Sequence, residues 1–281
     1  ISIPGENWSY TANLYSTMGD LEKMEGNFAL AIDHYRHCLN AYTKSNPDEF
    51  SQNVVFARLN LVQTYASDRQ FDKGLALLED TLARIRSTYG RDSYLGKMAQ
   101  ITQVRIYDLK GDDKEVEKLC QMLLQAYTDA PESSNAAYLW GEQTELLTYL
   151  AKAKFVRRAQ HEQYLQEAAD IIDNATTLVE RRKSLVTSQQ GVSDLIESNR
   201  ATFDLAKQIY LALYQKTENK EYLEKVIELH ESSIYNRIRA RLNLTDNSIV
   251  PKDILKKERE LRREINTFFD PGENMINIST W

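Results

Sequence analysis

Four residues at helical spacing constrain this chain more than any other feature. Phe28, Ala31, Tyr35 and Cys38 follow one another at intervals of three, four and three residues, and Gly26 comes just before them. Apolar or small residues at these intervals fall on one face of an α-helix, and a glycine at the end of the preceding apolar stretch is typical of a helix stop. The pattern predicts two amphipathic helices that are joined by a glycine turn and pack against each other.

The same pattern returns twice along the chain, which makes it a repeat. The second copy starts 43 residues after the first, and the third starts 42 residues after the second. The matching positions of the later copies hold Leu61, Val62, Tyr65, Phe71, Gly74, Leu78 and Leu82, and then Val104, Tyr107, Gly111, Val116, Cys120 and Leu124. A period of about 20 to 50 residues is the signature of an array in which each unit packs on its neighbours. The chain is therefore expected to be an array of helix pairs.

These repeated residues resemble tetratricopeptide repeats, a family of helix pairs stacked in series. The resemblance is clearest over 12–128, and its 42-residue spacing is similar to the long-helix variety of kinesin light chains and bacterial regulatory proteins. It is weaker over 133–184, where Arg157 and Arg158 stand in place of the glycine turn. The resemblance implies an all-α fold, a right-handed superhelical array of antiparallel helix pairs closed by a capping helix.

Turn-forming residues divide the chain into five helix pairs and a final helix. Breaks are expected near Pro47, Gly90, Pro131 and Pro251. The predicted helices are 7–24, 27–43, 48–68, 71–89, 93–110, 112–129, 133–158, 160–184, 190–216, 219–243 and 252–268. The expected organisation is three recognisable repeats over 1–128, a divergent fourth pair over 129–188, a fifth pair over 189–245, and a charged capping helix with a tail over 246–281.

Charge and hydropathy exclude several classes of function. The formal net charge of −6 is opposite to the basic surplus of a nucleic-acid-binding protein. No stretch approaches the roughly 18 consecutive apolar residues of a membrane span. We therefore expect neither nucleic acid nor a membrane as partner. The chain starts at Ile1 rather than at methionine, which indicates a fragment or a processed form, and the cytoplasm is the default compartment.

Nothing in the sequence predicts catalysis or a bound cofactor. His34 and His37 are three residues apart, a spacing that can hold a metal, but no third ligand follows at helical spacing and we interpret both as ordinary helix residues. Cys38 and Cys120 occupy equivalent positions in the first and third repeats, and both are expected to be small buried residues without a disulfide or a metal. The chain has no phosphate-binding glycine loop, His-Glu-x-x-His motif or glycine-flanked nucleophile. A helical hydrolase or metalloenzyme remains the rival hypothesis.

The functional surface that the resemblance implies is a concave groove lined by the first helix of each pair. Ser16, Asp20 and Met98 replace the residues with which chaperone-binding members grip a peptide carboxylate, so carboxylate clamping is not expected. The apolar groove residues favour a helix or an extended segment of a protein partner. The alternative is that some of them are buried between repeats. The expected groove residues are Asn13, Asp20, Phe56, Leu59, Asn60, Gln63, Met98, Ile101 and Arg105.

A second resemblance covers the carboxyl-terminal third. The order of Ile209–Thr217, Tyr222–Val226 and a charged helix after Pro251 is similar to the segment that links repeats to a caspase-like protease domain in bacterial CHAT proteins, although Ser233–Asn236 departs from the usual text. The resemblance implies a downstream caspase-like domain as a further partner. Nine basic and five acidic residues lie in 234–265, which predicts a docking face unless this is an ordinary solvated helix. The predicted basic docking face consists of Arg237, Arg241, Arg259, Arg262 and Arg263.

The sequence therefore favours a non-catalytic protein–protein interaction module. Its most specific form is the repeat sensor or scaffold of a bacterial CHAT-type regulatory protease. A peptide-signal receptor is one alternative, because some bacterial pheromone sensors use five long-helix repeats of similar size. A stand-alone adaptor protein is the other alternative.

Overall fold

The chain folds into α-helices throughout the ranges that the structure describes. In this computed structural model the described residues are 7–46, 50–90, 93–128, 136–186, 188–241 and 257. The prediction of an all-α array of antiparallel helix pairs is confirmed, and a short 3-10 turn follows α7 at Arg157–Ala159. The helices are α1 (Trp8–Met24), α2 (Phe28–Ser45), α3 (Gln52–Ser67), α4 (Phe71–Tyr89), α5 (Tyr94–Lys110), α6 (Asp113–Thr128), α7 (Ala136–Val156), α8 (Tyr164–Leu185), α9 (Gln189–Ser198), α10 (Arg200–Thr217) and α11 (Lys220–Arg241).

Three turns of closely similar geometry connect α1 to α2, α3 to α4 and α5 to α6. Gly26, Arg69 and Gly111 take the same place in these turns, with φ angles of 82°, 60° and 78°. In each turn the N–H groups of this residue and of the next one donate to carbonyls at the end of the preceding helix, at distances between 2.8 and 3.2 Å. This left-handed helix end satisfies carbonyls that a finished helix leaves open. Glycine adopts it without strain, whereas Arg69 does so at a steric cost.

The first compact unit of the chain is Ile1–Val116. Each helix from α1 to α4 packs on the next one along the chain, and the first helices of neighbouring pairs also touch, α1 with α3 and α3 with α5. Gly74 of α4 lies so close to α3 that a methyl group on it would come 3.3 Å from the Val62 carbonyl oxygen. A small residue at position 74 therefore allows the two helices of this pair to approach closely.

The second compact unit is Glu117–Trp281. Within it, α8 packs against both α7 and α10, and α10 also packs against α11. Ile172 of α8 and Ile209 of α10 are completely buried at the centre of this core. Tyr222 and Val226 of α11 cover the same cluster from outside. The hydrophobic side chains of α7, α8, α10 and α11 thus form one core.

One predicted helix is wrong. The range 190–216 holds two helices, α9 and α10, because the chain turns at Asn199. The Asn199 side-chain amide donates to the Leu195 carbonyl at 2.7 Å, and the Asn199 carbonyl accepts from the Thr202 N–H at 3.0 Å. Asparagine competes in this way with the backbone hydrogen bonds of a continuous helix.

Some expectations concern residues that the structure does not describe. The predicted capping helix over 252–268 lies outside the described residues except for Lys257, which is helical. The grouping of the chain into 1–128, 129–188, 189–245 and 246–281 stays a prediction. Among the described helices, none is long and apolar enough to cross a membrane.

Candidate partner-binding face of the first helices

We call the surface of α1, α3 and α5 that carries the predicted groove residues the first-helix face. Its best-connected polar group is the Asp20 carboxylate of α1. This carboxylate accepts a hydrogen bond from the Tyr35 hydroxyl of α2 at 2.5 Å and a longer one from the Asn60 side chain of α3 at 3.4 Å. Burial and the Asp20 charge raise the pKa of Tyr35, which keeps the hydroxyl protonated as a donor. One carboxylate therefore joins three helices.

Lys23 brings a positive charge to the same region. Its side chain is partly buried, and this burial lowers the pKa of Lys23, an effect that the Arg105 charge strengthens and the Asp20 charge opposes. Within the described residues, the Lys23 ammonium group makes neither a hydrogen bond nor an ion pair. The Asp20 charge acts on Lys23 more strongly than the Arg105 charge does, so the Lys23 ammonium group lies within reach of one acidic and one basic side chain.

Two of the predicted groove residues are not available to a partner. Leu59 and Ile101 are only 3% and 4% exposed, so the alternative that some groove residues are buried between repeats applies to both. The reason is that α3 and α5 contact each other and also contact α4, which leaves these helices few free sides. Phe56 and Met98 pack against the same core but stay partly exposed. They are the apolar residues of the first-helix face.

The other predicted groove residues keep accessible surface. Asn13 is exposed, and its side-chain oxygen accepts a hydrogen bond from the Tyr42 hydroxyl at 2.9 Å. Gln63 and Arg105 are partly buried. These positions are compatible with binding, but the use of this face by a partner stays a prediction.

The predicted basic docking face lies outside what the structure describes. Arg259, Arg262 and Arg263 are outside the described residues. Arg237 and Arg241 belong to α11, but their side chains are not among those described. This face therefore stays a prediction from the sequence.

The histidines and cysteines that the sequence singled out lie in α2 and α6. The Tyr15 ring stacks on His34 and His37, with ring centroids 6.1 and 5.1 Å away. Cys38 and Cys120 are both buried, as predicted. Burial and the Asp20 charge raise the pKa of Cys38 to about 12, so this thiol is protonated and unreactive at neutral pH. Over the described part of the chain, no group of three or more metal-ligating side chains is placed to hold an ion.

A charged cluster in the second unit was missed by the sequence analysis. Glu117 of α6 accepts from the Lys154 ammonium at 2.8 Å and from the Arg157 guanidinium at 2.5 Å, and Lys154 also pairs with Glu167 at 2.6 Å. The Lys154 ammonium lies 4.2 Å from the centre of the Tyr164 ring. Burial opposes both charges, but the hydrogen bonds and opposite charges outweigh it, so the pKa of Glu117 is lowered and that of Lys154 is raised. The only signal in the sequence was the arginine pair that replaces the glycine turn.

A cavity of about 450 Å³ lies between α4 and α5. Its walls include Leu78, Leu82, Arg86 and Tyr107, and no predicted groove residue lines it. The cavity and the first-helix face are therefore different surfaces of the first unit.

Comparisons with known proteins agree with the repeat pattern. The family model of the tetratricopeptide repeat matches residues 57–94, which run from α3 to the first residue of α5. The chain thus carries a tetratricopeptide-type repeat over that range. A search among curated proteins finds no match.

Two solved structures show the same fold. One is a crystal structure of nearly identical tetratricopeptide-like repeats, described as a kinesin light chain of Podosopora anserina. It is 17% identical in sequence, covers 81% of this chain and 98% of that chain, and has a TM-score of 0.53. A single-residue variant of the same protein gives 17% identity, 82% and 99% coverage, and a TM-score of 0.53. At this level of identity the likeness establishes the fold, an array of tetratricopeptide-like helix pairs.

Proposed function

We propose that this chain is a non-catalytic protein–protein interaction module that binds a segment of a protein partner along the first-helix face. The observation that supports this most directly is the meeting of Asp20, Lys23, Asn60 and Arg105 from three successive first helices of a repeat array. Such an array offers a continuous surface to an extended or helical ligand. The polar groups of this surface come from different repeats, so a ligand that lies across the repeats can contact all of them.

The charges of this face indicate the chemistry of the partner segment. Lys23 lacks an ion pair within the described residues, and the Arg105 charge is near enough to lower the pKa of Lys23. A carboxylate of the partner would pair with the Lys23 ammonium group, because an opposite charge favours its charged form. Phe56 and Met98 give the apolar contacts beside it. The proposed ligand is therefore a peptide segment that carries an acidic residue next to apolar ones.

Site-specific cross-linking tests this proposal. A photoreactive amino acid replaces Gln63 on the first-helix face, and a matched control replaces Glu79, an exposed residue of α4. We expect the Gln63 position to link a protein that the Glu79 position does not link. Adding Lys23→Glu and Arg105→Glu should remove that link while the helical circular dichroism is unchanged. Equal links from both positions, or a link that survives the charge reversal, contradicts the proposal.

The more specific form of the proposal places this module in a bacterial CHAT-type regulatory protease, with a caspase-like domain as a further partner. Its support lies in the sequence, in the order of Ile209–Thr217, Tyr222–Val226 and the charged stretch after Pro251. An immunoblot of source-cell lysate with an antibody against this chain tests it. A band well above 32.5 kDa agrees with a regulatory part of a larger protein. A band at that mass contradicts the protease assignment and favours the adaptor or the peptide receptor.

A further inference from the structure

The cavity between α4 and α5 has an apolar wall on the α4 side. Leu75, Leu78 and Leu82 line it and follow one another at intervals of three and four residues, so they share one side of the helix. Its volume of about 450 Å³ falls within the roughly 300–1,000 Å³ of small-molecule sites, which combine an apolar lining with a few polar groups. The cavity is therefore large enough for a small organic ligand.

The matching space between α2 and α3 is filled. Tyr35 and Leu61 stand where the cavity has Leu78 and Gln103, 43 and 42 residues later. Tyr35 and Leu61 are 0% and 4% exposed and pack in one core cluster. At the cavity a leucine replaces the larger tyrosine, and a polar side chain replaces a buried leucine. These two replacements open a space and place a hydrogen-bonding group beside it.

Two hydrogen-bonding groups of the cavity lack protein partners. The Tyr65 hydroxyl of α3 accepts a hydrogen bond from the Arg36 guanidinium at 2.9 Å. The hydroxyl of Tyr107, which is the counterpart of Tyr65 in α5, makes no hydrogen bond to any residue that the structure describes, and neither does the Gln103 side chain. Both residues are partly buried. Because buried polar groups in proteins are normally paired, these two are suited to bond a ligand.

Two opposite charges lie along the same wall. Glu79 and Arg86 line the cavity and are both exposed. They are seven residues apart, which is two helical turns or about 10 Å along the helix axis. Across the described part of the chain, neither side chain has an ion-pair partner. An anion and a cation at this separation complement a ligand that carries an ammonium group at one end and a carboxylate at the other.

We propose that this cavity binds a short free peptide of about three residues with apolar side chains. Arg86 pairs with its terminal carboxylate and Glu79 with its terminal ammonium group, while the leucine wall contacts its side chains. Gln103 and Tyr107 bond to its peptide groups. Three extended residues span about 10 Å, which matches the separation of the two charges. The ligand is therefore a small molecule with two charged ends, unlike the protein segment proposed for the first-helix face.

Isothermal titration calorimetry with trileucine tests the proposal. We expect one site per chain with a dissociation constant on the order of 100 µM. Acetylation of the amino terminus or amidation of the carboxyl terminus removes one charge of the peptide. Each capped peptide should bind about three- to fivefold more weakly, since the side chains that pair with these charges are exposed. No binding at about 1 mM trileucine, or equal binding of the free and capped peptides, overturns the proposal.

Two charge variants assign the ends of the peptide. In Arg86→Gln, trileucine and its amide should bind equally, whereas in Glu79→Gln trileucine and its acetylated form should bind equally. The matched control is Asp72→Asn, which alters an exposed carboxylate of α4 outside the cavity and should keep both preferences. If both preferences persist in the Arg86 and Glu79 variants, the proposed contacts are wrong.

Two further variants test the location of the site. Leu82→Trp fills the cavity and should abolish trileucine binding while the helical circular dichroism is unchanged. Lys23→Glu with Arg105→Glu alters the first-helix face and should leave trileucine binding unchanged. Binding that survives in a folded Leu82→Trp protein, or that is lost in the variant of the first-helix face, overturns the assignment to the cavity.

Discussion

The charged cluster of the second unit allows a prediction whose size follows from the structure. Glu117→Gln removes the carboxylate that binds Lys154 and Arg157 and keeps the shape of the side chain. The side chains of Glu117, Lys154 and Arg157 are 13%, 8% and 11% exposed, so water screens these contacts little. Glu167 still pairs with Lys154 in the variant. Arg157 loses its carboxylate partner.

The expected loss follows from these contacts. A hydrogen bond to a charged group contributes about 1.5–3 kcal/mol, and removing one partner of a buried ion pair costs about 3–5 kcal/mol. Because Glu167 keeps Lys154 paired, we expect Glu117→Gln to lower the free energy of unfolding of the second unit by about 2–4 kcal/mol. Lys154→Met removes the opposite charge. The double variant should show a coupling energy of about 1–2 kcal/mol between the two positions.

Urea unfolding followed by circular dichroism measures these changes. With a slope of about 1–3 kcal/mol per molar urea, Glu117→Gln should lower the midpoint of the affected transition by roughly 1 M or more. Asp204→Asn is the matched control, because it breaks partly exposed ion pairs with Arg200 and Lys207 in α10 and should cost less than about 1 kcal/mol. If Glu117→Gln lowers the midpoint no more than Asp204→Asn does, the buried cluster adds no stability and the reasoning is refuted.

Four further predictions concern single residues. The pKa of Glu117 is lowered in the folded protein, so its contribution to the free energy of unfolding is fully present above the ordinary glutamate pKa of about 4.3 and is lost as the pH falls through the lower folded pKa. The urea midpoint of the native protein should therefore drop over that pH range, and the midpoint of Glu117→Gln should drop less. Arg69→Gly relieves the left-handed turn and should raise the free energy of unfolding by about 0.5–1 kcal/mol, whereas an unchanged or lower midpoint would show that the turn is unstrained. Leu59→Glu places a charge in the core and should remove helical circular dichroism rather than binding alone; a folded variant contradicts this burial. Cys38 should react with a thiol reagent only after unfolding, and fast labelling of the native protein would contradict its burial.

The helix pairs and their turns were predictable because their causes are local. The intervals between Phe28, Ala31, Tyr35 and Cys38 depend only on the geometry of one helix. Gly26 was expected in the turn for its backbone freedom, and its φ of 82° confirms this. The equivalent residue of the second repeat, Arg69, takes the same turn without being glycine. Arg69 is identified as a turn residue only by the structure, where its backbone conformation matches that of Gly26 and Gly111. Its residue type does not predict a turn.

The candidate site was predictable in part. The positions of the residues within the repeat predicted that Asp20, Asn60 and Arg105 lie on successive first helices, and the structure brings them together. The same reasoning placed Leu59 and Ile101 on the accessible surface, where they are not. The position of a residue within the repeat specifies on which side of its own helix it lies, but the neighbouring helices decide whether that side is exposed to water.

The sequence by itself determined the helical periodicity, the two successive repeat spacings and the buried thiols, because these depend on a residue and its near neighbours along the chain. The tertiary structure decided the turn at Asn199, the ion cluster around Glu117 and the exposure of Leu14 and Leu21 on α1. Leu14 and Ala57 occupy equivalent positions, yet one is exposed and the other is buried. Burial and ion pairing are properties of the packed helices around a residue, so equivalent positions in the sequence become different surfaces of the protein.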